Sequence, residues 1–203
     1  MKVITLKDKK LDELKEGTYI LDNCQVYRVS NDVVIREMKG DSTIDNITGN
    51  VSISFMRDNS KIGALFHNSQ VIEMMDNSKI GTATDKSFII NMHDNSSLGS
   101  LSHKATICCM HDNSFINCSM SPFCTIKFMM GSSKINLLNG GVVIEMIENS
   151  IINSSDGSGR VKLFRGKAKI IEMRNPKYIN SFLGKSSLIE GYGVSHKVGQ
   201  GYV

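Results

Sequence analysis

The chain has no tryptophan and only two prolines, and its five cysteines form no CxxC pair. A chain short of proline interrupts few backbone ladders, and with many β-branched and small polar residues it suits short stacked strands. Cys24, Cys108, Cys109, Cys118 and Cys124 are odd in number and lack metal-ligand spacing, which excludes a closed disulfide framework and a zinc finger. Free, mostly buried thiols are expected, with no metal and no cofactor. Cys108 and Cys109, as neighbours on a strand, are expected to face opposite ways. No run of about 18 apolar residues is present, so no membrane-spanning helix is expected. The opening Met1 to Lys10 lacks the apolar core of a secretory signal. A soluble, cytoplasmic protein follows as the expectation. Neither a Gly-x-Ser-x-Gly elbow nor a glycine-rich phosphate loop occurs, which removes the commonest nucleophilic and nucleotide-binding signatures.

What is present is repetition. Met56-Arg57-Asp58-Asn59-Ser60 recurs from Met74, Met92 and Met110, each copy eighteen residues after the last. Within it lies a rhythm of nine: Val26, Ile35, Ile44, Ile53, Ile62, Val71, Ile80, Ile89, Leu98, Ile107 and Ile116, often with Ser two places earlier. The phase slips by one residue at Ile126 and back at Val143, then runs on to Leu188. Residues after the aliphatic alternate between glycine (Gly63, Gly81, Gly99) and larger side chains (Ile72, Ile90, Cys108), so nine residues are half a structural unit. The pattern predicts an all-β, single-domain parallel β-solenoid of about ten two-sided coils. At the usual strand spacing of about 4.8 Å the rod would be about 45 to 50 Å long. A hexapeptide helix fails, because steps of six from Ile62 fall on Asn68 and Lys86.

These units resemble nonapeptide-repeat parallel β-solenoids over roughly residues 24 to 190, and the chain is similar to small β-helical proteins of bacteria and their phages. The resemblance implies an architecture and names no functional residue. The Gly-Gly-x-Gly-x-Asp pattern of the calcium-binding β-roll is absent.

Three segments are expected. Residues 1–23 form a lead-in with a short helical cap, starting at Thr5 or Asp8, running through Leu11 and Leu14 and stopping at Gly17. Residues 24–190 form the solenoid, and 191–203 a glycine- and tyrosine-rich tail or second cap. Asn153 to Arg160 reads as the most loop-like stretch. Ile170-Ile171-Glu172-Met173 echoes Val71-Ile72-Glu73-Met74 at half-coil offset.

Stacking at eighteen sets Asp58, Asp76, Asp94 and Asp112 in one column, about 5 Å apart. The column is read as turn scaffold, each Asp accepting from the backbone two residues on, rather than as a cation site. His67 and His103 fall on a second corner, while His93 and His111 lie beside the Asp column; stacked surface histidines are expected. Met38, Met56, Met74, Met92, Met110, Met129, Met146 and Met173 are read as core.

Charge breaks the monotony. From Arg160 onward there are nine basic and two acidic residues, a net of +7 in a chain of +4, which leaves −3 for the first 159. Arg160, Lys162, Arg165, Lys167, Lys169, Arg174 and Lys177 are the candidate anion-binding residues. The sequence therefore points to a non-catalytic interaction or inhibitor protein with an anionic protein, or a nucleic acid, as partner. A carbohydrate-active enzyme using Asp76, Asp94 and His93, and a self-assembling fibre or other homo-oligomer, are the alternatives.

Overall fold

The computed structural model describes residues 2–119, 123–156, 159–173, 182–183 and 188–189. Twenty-two short strands alternate between two parallel sheets. The odd sheet contains β1 (Val3–Lys7), β3 (Gly17–Asp22), β5 (Val33–Lys39), β7 (Ser52–Met56), β9 (Gln70–Met74) and β11 (Phe88–Met92). It continues with β13 (Thr106–Met110), β15 (Thr125–Met129), β17 (Val142–Met146), β19 (Arg160–Arg165) and β21 (Phe182–Leu183). The even sheet contains β2 (Lys10–Leu14), β4 (Gln25–Ser30), β6 (Thr43–Thr48), β8 (Lys61–Leu65), β10 (Lys79–Ala83) and β12 (Ser97–Leu101). Its remaining strands are β14 (Phe115–Ser119), β16 (Lys134–Asn139), β18 (Ile151–Asp156), β20 (Lys169–Met173) and β22 (Leu188–Ile189).

Every interior strand pairs with its equivalents one coil before and one coil after, and β1, β2, β21 and β22 pair on one side only, so the chain is a parallel β-solenoid with two sides per coil. About nine turns lie between the start of β3 and the end of β20, rather than the ten expected. Ile44, Ile62, Ile80, Leu98 and Ile116 stand in register, eighteen residues apart. The register widens to nineteen between Ile107 and Ile126 and narrows to seventeen between Ile126 and Val143. Both adjustments fall at turns leading from the even sheet to the odd one, so the sheets themselves stay aligned.

A typical strand buries its second and fifth residues and turns its third and fourth outward. Strict alternation cannot do this. The ladder therefore skips the third residue: Ile80 pairs with Leu98 and Thr82 with Ser100, with Gly81 left out. The resulting bend lets each half-coil wrap a narrow core. That core is a stack of Ile, Val and Leu opposite the methionines Met38, Met56, Met74, Met92, Met110, Met129 and Met146, all fully buried. A small inward residue, usually Ser, closes each turn: Ser42, Ser60, Ser78, Ser96, Ser114, Ser133 and Ser150 line one corner. Met173 ends β20, and its side chain lies outside the described residues.

Two expectations are corrected. No helix occurs among the described residues; residues 3–22 are the strands β1, β2 and β3. Leu11 and Leu14 are three apart, which suits a helical face, but this is also the inward spacing of every strand here, and both pack on the core. The first coils are shorter than the rest: Val3 pairs with Thr18, fifteen residues on, and Thr18 with Val34, sixteen on. Asn153 to Asp156 belong to β18 rather than to a loop. The tail 191–203 lies outside the described residues. The half-coil echo also has a cause, since Val71-Ile72-Glu73-Met74 sits in the odd sheet and Ile170-Ile171-Glu172-Met173 in the even one. Both sheets offer the same inward spacing, so one tetrapeptide serves either.

Met92 is fully buried between Met74 and Met110. Met92→Ala is expected to cost about 2–5 kcal/mol by chemical denaturation. A loss within experimental error would contradict the stacked core.

Candidate functional site

The turns from the odd to the even sheet carry the Asp column. Each is four residues long and closed by a backbone bond, as from Ser78 N–H to the Met75 carbonyl at 3.1 Å. Its second residue has a positive φ: 57° at Asp58, 53° at Asp76, 52° at Asp94 and 53° at Asp112. Asp tolerates this left-handed backbone better than most side chains, and Gly40, Gly131 and Gly166 take the same place in other coils. The carboxylates do not cap their own turns as expected. They reach back one coil: Gly40 N–H donates to Asp58 Oδ2 at 2.7 Å, Asp58 N–H to Asp76 Oδ2 at 2.9 Å and Asp76 N–H to Asp94 Oδ2 at 3.0 Å. Asp94 N–H donates to Asp112 Oδ2 at 3.3 Å, and Glu148 repeats the contact on Gly131 N–H at 2.7 Å. Stacking leaves the left-handed residue's N–H pointing along the rod, and a carboxylate one coil on satisfies it by a charge-assisted bond. Asp76 and Asp94, the candidate acids of a carbohydrate enzyme, are thus engaged in holding coils together.

Beside this column, the outer face of the odd sheet gathers polar groups. His93 Nε2 lies 3.0 Å from Glu73 Oε2, while Asn91 Nδ2 donates to Glu73 Oε1 at 2.8 Å. The His93 and His111 rings stack at 4.8 Å with planes 11° apart, and His93 Nδ1 is 3.8 Å from Asp112 Oδ2. Burial, and then the neighbouring His93, hold His111 below its ordinary pKa. Glu73 was not singled out from the sequence, though a signal exists. Glu37 pairs with Arg57, Glu73 with His93 and Glu145 with Arg165, each spaced by one coil plus two residues. His67 and His103 lie on the opposite corner, where Thr84 Oγ1 contacts His103 Nδ1 at 2.8 Å.

Cys108 and Cys109 do not face opposite ways. They are the third and fourth residues of β13, where the bend turns both outward, and both are half-buried. Burial, then Cys108, pushes the Cys109 thiol up, which keeps it protonated and a poor nucleophile. Among the described residues no three His, Cys, Asp or Glu side chains converge to hold a metal ion. No helix there is long and apolar enough to cross a membrane.

The described basic candidates lie on β19, β20 and the turn between them, one strand before the last described strand of each sheet. Arg160, Lys162 and Arg165 are exposed on β19 in the odd sheet, and Arg165 Nε lies 3.0 Å from Glu145 Oε1. Lys167 is exposed at the adjoining turn, and Lys169 begins β20 in the even sheet. Arg174 and Lys177 lie outside the described residues. Elsewhere the even sheet is flat: Gly63, Gly81 and Gly99 stack so closely that a Cβ on Gly81 would lie 2.4 Å from the Gly63 carbonyl oxygen. A shallow concavity bounded by Lys10, Asp12, Gln25, Tyr27 and Asp45 marks its N-terminal edge. The chain shows no significant match to any known protein family, curated protein or solved structure.

Asp76→Ala removes a carboxylate acceptor and leaves alanine in left-handed backbone, and is expected to cost about 1–3 kcal/mol. Asp76→Asn keeps both an acceptor oxygen and tolerance of that backbone, and should cost less; equal losses in denaturation would contradict the inter-coil bond. The lowered pKa of His111 also has a sign. The unfolded chain takes up its proton first, so this contribution to stability is present above the ordinary value of about 6.5 and is lost as pH falls through the lower folded value. His111→Gln should flatten the loss of stability over that window, and an unchanged pH profile would argue against the burial described.

Proposed function

We propose that the protein is a non-catalytic interaction protein, a rigid β-solenoid whose basic end contacts an anionic macromolecule. The observation that carries this reading is the gathering of Arg160, Lys162, Arg165, Lys167 and Lys169, all exposed, within one coil. Cations around one end of a rod focus an attractive field there, while the Asp column runs along coils further back. The partner read from this field is an acidic protein surface or a nucleic acid backbone. The carboxylates that a glycan-cleaving reading would need are bonded to backbone amides, which favours display over catalysis. A cytoplasmic setting belongs to the same proposal, because free thiols, including adjacent Cys108 and Cys109 at the surface, suit a reducing compartment.

Binding of the full chain to polyglutamate and to a short DNA duplex, each at low and at moderate salt, tests the proposal. At least one polyanion should bind, more weakly at higher salt. Arg160→Glu, Lys167→Glu and Lys169→Glu together should lower its affinity about tenfold or more, as loss of several anion contacts does. Lys61→Glu with Lys79→Glu, six and five strands from β20 in the even sheet, should change it little. No binding to either polyanion, or equal binding by the basic-end variant, would overturn the reading.

A further inference from the structure

The two sheets present unlike outer surfaces, and the odd one is the more apolar. Phe55 is 44% exposed, Val34 37% and Phe128 37%, with half-buried Phe88, Ile72, Ile90 and Ile144 between and around them. In the first and fourth outward columns their placement is close to a palindrome about β11, whereas the third column, which carries Arg36 and Lys127, is not palindromic. Through the ladder the fourth outward column reads Glu37, Phe55, Glu73, Asn91, Cys109, Phe128 and Glu145. Phe55 and Phe128 thus stand two strands either side of β11, and Glu37 and Glu145 three. The first column places Val34 and Val142 three strands either side of Phe88. Beyond them, Asp22 follows buried Leu21 in β3, and Arg165 follows buried Phe164 in β19, four strands either side of β11.

We propose that this face is the interface of a homodimer, in which a second copy packs antiparallel about a two-fold axis running along β11. An isologous interface needs one patch that complements itself, and this axis keeps each column opposite itself while reversing strand order. Phe88, Ile90 and Asn91 then meet their own counterparts at the axis. Phe55 meets the second copy's Phe128 on both sides of it. Glu37 and Glu145 approach already neutralised by Arg57 and Arg165, and Asp22 comes opposite the second copy's Arg165, a complementary charge at each rim. Seven strands spaced by about 4.8 Å, each presenting about 17 Å of length, cover about 550 Å² on each copy, or about 1,100 Å² together, which clears the roughly 1,000 Å² of a specific interface. Lys167 and Lys169 stay outside the face, so the two basic ends project from opposite ends of the dimer.

Sedimentation velocity over a wide range of concentration should show a species of twice 22.5 kDa, and Phe55→Ser with Phe128→Ser should weaken association at least tenfold. The axis is tested separately by Asn91→Cys in a chain also carrying Cys108→Ser, Cys109→Ser and Cys118→Ser. Under mild oxidation it should form a disulfide-linked dimer, whereas Thr82→Cys in the same background, on the even sheet, should not. A single species of 22.5 kDa at every concentration, open-ended polymers, or linkage through Thr82→Cys in place of Asn91→Cys would each overturn the proposal.

Discussion

The backbone hydrogen bonds between successive coils are the constraint on which everything else depends. Each strand finds its partners only one coil before and one coil after, so all side chains are held in columns at about 4.8 Å spacing. A column must then tolerate its own repetition. Inside, that favours Ile, Met and small Ser, which stack fully buried and bring no charge into the core. At the turns it favours residues that accept left-handed backbone and can serve a neighbouring coil. The Asp column meets both demands, because a carboxylate satisfies the N–H that stacking leaves pointing along the rod. Repulsion between like charges is offset by these bonds rather than avoided.

The outer faces are where columns become free to differ, and function has to be sought there. On the odd sheet, glutamates alternate with aromatic, amide and thiol residues, and three of them find a basic or imidazole partner twenty residues on. On the even sheet the central glycines strip the surface almost bare. One side of the rod therefore offers an apolar relief, the other a plain one, and the cations gather on β19, β20 and the turn between them. The proposed dimer face and the proposed polyanion contact use different residues, apart from the rim role of Arg165.

Much of this was legible in the sequence because the period of the coil is the period of the chain. The nine-residue rhythm, the slip at Ile126 and its reversal at Val143, and the buried methionines follow from counting alone. Where counting misled, two structures shared one spacing. Leu11 and Leu14 fit a helix turn and a bent strand equally, and only pairing with β4 decides between them. Alternation puts Cys108 and Cys109 on opposite faces, because the bend at the third residue leaves no mark in the sequence pattern. Turn chemistry alone points each Asp at a donor within its own turn, whereas the donor it reaches is a coil away. Glu73 was missed for a related reason: its partner His93 is remote in the chain and adjacent only after stacking. Partner chemistry is less legible still, since outward columns can vary freely without disturbing the fold.

Electron–electron spin distance measurement tests in-register stacking most directly. Nitroxides at Tyr27→Cys and Asn153→Cys, in a chain with its surface cysteines replaced and diluted with unlabelled protein, would sit on β4 and β18 of the even sheet, seven strand spacings apart. In-register stacking predicts one narrow distribution near 34 Å, set by about 4.8 Å per coil. A broad distribution, or a narrow one far from that value, would contradict it.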